Sequence, residues 1–84
     1  MREELTLLME RYKDNLFAAA FNICKNAADA DDVVQETFFQ YYKTNKQFES
    51  EQHIKAWLIR VAVNKAKNIN SSFWSQKNVA LKTI

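Results

Sequence analysis

Residues 29–43 read DADDVVQETFFQYYK, and the two faces of this segment decide the fold prediction. At 100° per residue, a helix through it separates an apolar side from a polar one. The inward side comprises Ala30, Val34, Thr37, Phe38 and Tyr41. The opposite side carries Asp32, Gln35, Glu36 and Phe39. Asp29 is a favourable N-cap, and Asp31 follows it in the first turn, where the helix dipole favours anions. The segment therefore predicts an amphipathic helix whose polar side has a task other than packing.

Two further helices are predicted, one on each side of this segment. The first covers roughly residues 2–25 because apolar residues recur there at steps of three and four. Its stripe consists of Leu5, Leu8, Met9, Tyr12, Leu16, Ala20, Ile23 and Cys24. Asn26 then offers a stop, since it tolerates the left-handed conformation. The last helix begins after Ser50, a good cap, and runs to about residue 76. Its apolar face comprises Ile54, Trp57, Leu58, Val61, Ala62 and Ile69.

The composition restricts the chain to one small helical domain. It has 84 residues, 48% of them hydrophobic, and neither glycine nor proline, which disfavours tight hairpins and phosphate-binding glycine loops. We predict an all-α fold, a small three-helix bundle with or without a fourth short helix, over residues 1–78. Residues 79–84 are interpreted as a tail or the start of a linker. The sequence shows no secretory leader or apolar span, and the single cysteine fits a reduced, cytoplasmic setting.

No catalytic, metal or cofactor site is expected. The aspartates near the start of the second helix lack the spacing and central glycine of a calcium loop, and helix capping explains them better. His53 is the only histidine, with no acid or cysteine at ligand spacing around it. Cys24 has no base nearby in sequence. We therefore expect a binding protein rather than an enzyme.

Charge is distributed unequally between the two halves. Residues 1–42 carry four basic and eight acidic side chains, whereas residues 43–84 carry eight basic and two acidic ones. Cations neutralise phosphates, aromatic rings stack on unpaired bases, and asparagine can read a base edge. The candidate DNA-binding residues are Lys46, Phe48, His53, Trp57, Arg60, Asn64 and Lys67. The alternative is that Trp57 belongs to the core and the lysines only solubilise the chain.

Two motifs in this order resemble a known family. Residues 31–38, DDVVQETF, resemble the acidic signature of region 2.2 in bacterial RNA polymerase sigma factors of the extracytoplasmic-function (ECF) type. About twenty residues later, AWLIRVAVN at residues 56–64 resembles the helix of regions 2.3–2.4 in the same family. The first helix is similar to region 2.1. The resemblance covers roughly residues 8–78 and implies a sigma region 2 fold.

The resemblance implies two partners for the two faces. In ECF sigma factors the outward face of the second helix binds the clamp helices of the polymerase β′ subunit. Carried over, this face is Asp31, Asp32, Gln35, Glu36 and Phe39. The connection at residues 44–50 corresponds to the loop that captures a flipped-out base of the promoter −10 element, on the non-template single strand. Asn64 matches the family asparagine near the recognised bases. An anti-sigma factor is a further partner that many such relatives have.

Two departures from the family pattern leave alternatives open. Lys65 and Lys67 stand where relatives carry an arginine-rich stretch, and lysine lacks the planar fork of arginine. The helix-turn-helix domain that follows region 2 in the family is missing here, so we expect a domain cut from a longer protein rather than a short relative. A self-contained helix-turn-helix regulator of duplex DNA is the main alternative function, and a purely protein-binding helical module is the third.

Overall fold

A computed structural model describes the backbone of residues 2–83 and the side chains of residues 4–69. Within these limits the chain forms three helices and no strands: α1 (Arg2–Cys24), α2 (Ala27–Lys43) and α3 (Glu51–Thr83). Each helix packs against both others. The predicted all-α three-helix bundle is thereby confirmed, and each helix contributes one stripe to a shared core.

The core is small and rich in alanine. Ala20, Ala30, Ala62 and Ala66 are completely buried, and a methyl side chain at these positions lets helix backbones approach closely. The larger buried residues around them are Leu8, Tyr12, Leu16, Val33, Thr37, Phe38 and Leu58. The Thr37 hydroxyl donates to the Val33 carbonyl at 2.7 Å, so this polar group is satisfied without leaving the core.

The turn between α1 and α2 differs from the prediction. Lys25 takes the left-handed conformation, with φ of 57°, and its N–H donates to the Phe21 carbonyl at 2.8 Å. Asn26 is extended and is the N-cap of α2, because its side-chain oxygen accepts from the Asp29 N–H at 2.9 Å. The assignments of Asp29 as N-cap and of Asn26 as the left-handed residue were therefore wrong. With no glycine available, a lysine adopts the strained position so that asparagine can cap.

The buried arc of α2 is wider than the predicted stripe. Val33, which the prediction left out, is only 2% exposed, whereas Val34 and Tyr41 are half-buried. The reason is that α2 packs against α1 on one side and α3 on the other. Met9 of α1, placed in its apolar stripe, is instead 40% exposed.

Helix α3 begins as predicted and ends later. The Ser50 hydroxyl accepts from the His53 N–H at 3.2 Å, so Ser50 caps α3. The helix continues to Thr83 rather than ending near residue 76, and the chain contains no glycine or proline that would stop it. The side chains of the predicted tail, residues 79–84, lie outside the described residues. In the described part of the chain, no helix has both the length and the apolar content needed to cross a membrane.

Candidate functional site

The outward face of α2 is an exposed acidic surface. Asp31, Asp32, Gln35, Glu36 and Phe39 are all exposed, as the helical periodicity predicts. Phe39 is 57% exposed. Lys43 places its ammonium 4.6 Å from the centre of that ring. The surface thus combines carboxylates with one large apolar side chain, a composition suited to a basic partner that also offers apolar contact.

This acidic face borders a groove on each side. Asp31 and Gln35 line the groove toward α1, together with Met9 and Phe17. Asp32 and Glu36 line the groove toward α3. Four of the five predicted polymerase-binding residues therefore lie between two grooves.

An ion pair joins the acidic face to α3. The Lys65 ammonium donates to Glu36 Oε2 at 3.0 Å. The Lys65 side chain is 23% exposed and that of Glu36 67% exposed, so the lysine stem lies against the bundle while the carboxylate remains accessible. This pairing could not be predicted from the sequence, since the two residues lie 29 positions apart.

The loop at residues 44–50 is anchored by an aromatic cluster, which consists of Tyr41, Phe48, His53 and Trp57. Phe48 lies at the centre, with its ring centre 5.6 Å from Tyr41, 5.2 Å from His53 and 5.6 Å from Trp57. The contacts with His53 and Trp57 are edge-to-face, an arrangement that is favourable at such distances. All four rings are half-buried, so the three predicted DNA-binding aromatics hold the loop as well as presenting part of their surface.

Hydrogen bonds fix the same loop to the start of α3. His53 Nδ1 accepts the Glu49 N–H at 3.2 Å, which assigns the proton of the neutral ring to Nε2. At the other end of the loop, the Thr44 hydroxyl accepts the Lys46 N–H at 3.2 Å. The role of His53 inside the fold is therefore that of an acceptor for the loop backbone.

A cluster of three polar residues, which the sequence did not predict, ties α1 to the first residue of α3. Arg11 Nη1 donates to both Glu51 carboxylate oxygens, at 2.5 and 2.6 Å. The Tyr12 hydroxyl donates to Glu51 Oε2 at 2.7 Å. These hydrogen bonds, that of Tyr12 foremost, lower the pKa of Glu51, and the neighbouring carboxylate raises the pKa of Tyr12. No local sequence pattern pairs residues 40 positions apart, so this cluster could not be predicted.

The exposed stripe of α3 follows directly after Trp57. Arg60, Asn64 and Lys67, three of the predicted DNA-binding residues, are exposed. Lys46 is exposed in the loop. It lines a pocket with Tyr42, whose ring is 61% exposed. Tyr42 was missed although it lies three residues after Phe39 and so continues the spacing of the exposed side of α2. It is more exposed than any residue of the aromatic cluster.

The described residues contain no group of three or more histidine, cysteine or acidic side chains that could hold a metal ion. Cys24 is half-buried, and its thiol donates to the Ala20 carbonyl at 2.9 Å. Burial raises the pKa of this thiol, so the thiolate needed for nucleophilic chemistry is disfavoured.

Comparison with known proteins identifies the family to which the chain belongs. The family model described as Sigma-70 region 2 matches residues 8–72. The ECF RNA polymerase sigma-E factor of Haemophilus influenzae is 37% identical over 67 residues, which cover 80% of this chain and 35% of that protein. The RNA polymerase sigma-H factor of Pseudomonas aeruginosa is 32% identical over 62 residues, covering 74% of this chain and 32% of that protein.

A third relative extends the comparison. The ECF RNA polymerase sigma factor SigW of Bacillus subtilis is 28% identical over 57 residues, covering 68% of this chain and 30% of that protein. The chain thus spans about a third of the length of the curated relatives that it matches. No solved structure matches it. The match of the family model over most of the chain, with ECF sigma factors among the relatives, shows that the chain belongs to the sigma-70 region 2 family.

Proposed function

We propose that this chain is the domain of an ECF sigma factor that binds RNA polymerase and reads the promoter −10 element, without catalytic activity of its own. The observation that carries the proposal is the placement of two different surfaces on one small bundle. One surface is the acidic face of α2. The other is the loop at residues 44–50 together with the exposed stripe of α3.

The acidic face is suited to the clamp helices of the polymerase β′ subunit, a basic coiled coil in this family. Asp32 and Glu36 are exposed one helical turn apart. Carboxylates in this arrangement can accept charge-assisted hydrogen bonds from arginine, each contributing about 1.5–3 kcal/mol. Phe39 adds an exposed apolar contact on the same side of α2.

The loop and α3 are suited to a partly melted strand. Pulling a base out of the stack costs a few kcal/mol, and stacking on an aromatic ring returns roughly 1–3 kcal/mol per base. Tyr42 and the exposed parts of Phe48 and Trp57 supply such rings. Lys46 and Lys67 are exposed cations that can contact phosphates, and the exposed Asn64 can donate to and accept from a base edge.

The polymerase half of the proposal is tested by titrating the chain against a β′ clamp-helix fragment. We expect the single reversals Asp32→Lys and Glu36→Lys each to weaken binding by about tenfold or more, since an attraction becomes a repulsion. Glu10→Lys makes the same charge change on the exposed side of α1 and serves as the control. Unchanged binding by both α2 variants would remove the acidic face from the proposal.

The promoter half is tested with single-stranded DNA. Short labelled strands are selected from a random pool by the wild-type chain, and the preferred strand is compared with a scrambled one. Asn64→Ala should lower the preference between them, because a base contact carries specificity whereas a phosphate contact does not. Asn68→Ala, an exposed asparagine one turn further along α3, is the matched control. Equal losses on both strands would assign Asn64 to the backbone or the fold.

The helix-turn-helix alternative predicts a preference for duplex over single-stranded DNA. A helix-turn-helix unit joins two helices by a tight turn, usually with glycine, and inserts a short recognition helix into duplex DNA. Here α2 and α3 are separated by residues 44–50, and α3 spans 33 residues. Tighter binding to duplex than to single-stranded DNA of the same sequence would favour that alternative.

A further inference from the structure

The loop at residues 44–50 can select a base only if its shape is maintained before DNA arrives. It contains no helix or strand, so its conformation depends on contacts with the rest of the bundle. The aromatic cluster provides one contact through Phe48. The cluster of Arg11, Tyr12 and Glu51 provides another, immediately after the end of the loop.

This second contact does more than cap a helix. A carboxylate in the first turn is already favoured by the helix dipole, and it could satisfy its oxygens with water. Instead, Glu51 accepts hydrogen bonds from two consecutive residues of α1. Tyr12 is only 8% exposed and belongs to the core, so its hydroxyl holds Glu51 at a fixed position relative to the bundle.

The cluster and the loop share a groove. Arg11, Glu51 and Phe48 line it together with Leu7 of α1, which is 61% exposed. Helix α1 therefore forms one wall of the space beside the loop. A change in the contact between Glu51 and α1 would alter both that space and the path of the backbone through Glu49 and Ser50.

We infer that Arg11, Tyr12 and Glu51 are positioning residues for base capture, which hold the loop at residues 44–50 in its binding conformation without contacting the base themselves. This inference rests on the proposed function. It gives α1 a part in promoter recognition. A loop held in place before binding loses less conformational freedom when DNA binds, which favours affinity and discrimination.

The charge of Glu51 makes the inference testable, because two explanations predict opposite changes in DNA affinity when this charge is removed. If Glu51 acts only as a negative charge near DNA, Glu51→Gln should raise affinity for any strand. If Glu51 positions the loop, the same substitution should lower affinity for the preferred strand, by about threefold to tenfold, and lower the preference over a scrambled strand. Glu10→Gln makes the same charge change on an exposed side chain of α1 outside the loop and the cluster, and is the control.

The experiment compares the wild-type chain with Glu51→Gln, Tyr12→Phe and Glu10→Gln. Labelled single strands, preferred and scrambled, are titrated by fluorescence anisotropy, the β′ clamp-helix fragment is titrated in parallel, and melting temperatures are recorded. We expect Glu51→Gln and Tyr12→Phe to reduce the preference for the selected strand while clamp binding stays at the wild-type value. Glu10→Gln should keep the preference.

The outcomes separate the inference from the proposed function. A wild-type chain that binds neither the clamp fragment nor single-stranded DNA would refute the proposed function itself. A functional wild-type chain whose Glu51→Gln variant keeps its strand preference would overturn the inference alone. So would a parallel loss of clamp binding and strand binding at temperatures where Glu51→Gln is folded, because the cluster would then support the whole bundle rather than the loop.

Discussion

The ion pair between Glu36 and Lys65 gives a prediction of unusual sign: removing a positive charge from the DNA-facing helix should strengthen polymerase binding. Lys65 occupies one oxygen of Glu36 at 3.0 Å. A basic partner that approaches the acidic face must compete with this lysine and is also repelled by it. Lys65→Met keeps the aliphatic stem that lies against the bundle and removes only the competing charge.

The size of the effect follows from the geometry. Two unit charges 3.0 Å apart in a water-like dielectric attract each other by about 1.4 kcal/mol. Ordering two long side chains reduces the net value of an exposed pair to about 0.2–1 kcal/mol. The Glu36 side chain is 67% exposed, so this lower range applies. Affinity for the β′ clamp-helix fragment should therefore rise by about 1.4-fold to fivefold.

The assay is a titration of the clamp-helix fragment at two salt concentrations, because the gain should shrink as salt screens exposed charges. Lys67→Met is the control, since Lys67 is an exposed lysine two positions further along α3 with no ion pair to a described carboxylate. An equal gain in affinity from both variants would show that the effect comes from net charge alone. Weaker binding by Lys65→Met would refute the reasoning, and would imply that Lys65 orients Glu36 for its partner.

Three further predictions concern the fold. Lys25→Gly should stabilise the chain by about 0.5–1 kcal/mol in thermal unfolding. Glycine takes the left-handed conformation without the roughly 1–2 kcal/mol penalty of a side chain, and its greater conformational entropy in the unfolded chain offsets part of that gain. A lower melting temperature would contradict the assigned turn. Leu58→Ala should lower the free energy of unfolding by about 2–4 kcal/mol in denaturant, since Leu58 is completely buried and its truncation leaves a cavity. A loss below about 1 kcal/mol would mean that the core repacks. The pKa of Glu51 is lower in the folded chain than its ordinary value of 4.5, so its contribution to stability is present above that pH and is lost as the pH falls through the folded value. Glu51→Gln should therefore make the free energy of unfolding depend less on pH below about pH 4.5. An unchanged pH dependence would show that the Glu51 carboxylate is not stabilised by folding.

Local signals predicted most of the secondary structure. The apolar period of α1, the cap at Ser50 and the exposed side of α2 depend on residues a few positions apart. The turn at Lys25 was mispredicted because the usual signal, glycine, is absent from the chain. The preference rules then favoured Asn26 for the left-handed position, although the fold uses that side chain as a cap.

The contacts around the candidate site could not be predicted in the same way. Glu36 and Lys65 meet because α2 and α3 pack together, and Glu51 meets Arg11 because α1 crosses the start of α3. No periodicity within one helix encodes such pairs. Phe48 was identified as an aromatic in a polar loop, but its packing against Tyr41 depends on the path of the loop back over α2.

The aromatic cluster also makes the loop visible to optical methods. The ring centre of Trp57 lies 5.6 Å from that of Phe48 and 6.1 Å from that of Tyr41. An indole ring in such an asymmetric environment gives a near-ultraviolet circular dichroism signal, and its emission is sensitive to changes in the surrounding side chains. The chain has two tryptophans, so Trp74→Phe leaves Trp57 as its only tryptophan, which can be excited selectively over the tyrosines. Its fluorescence would then report loop movement during DNA binding directly, in real time and without an attached dye.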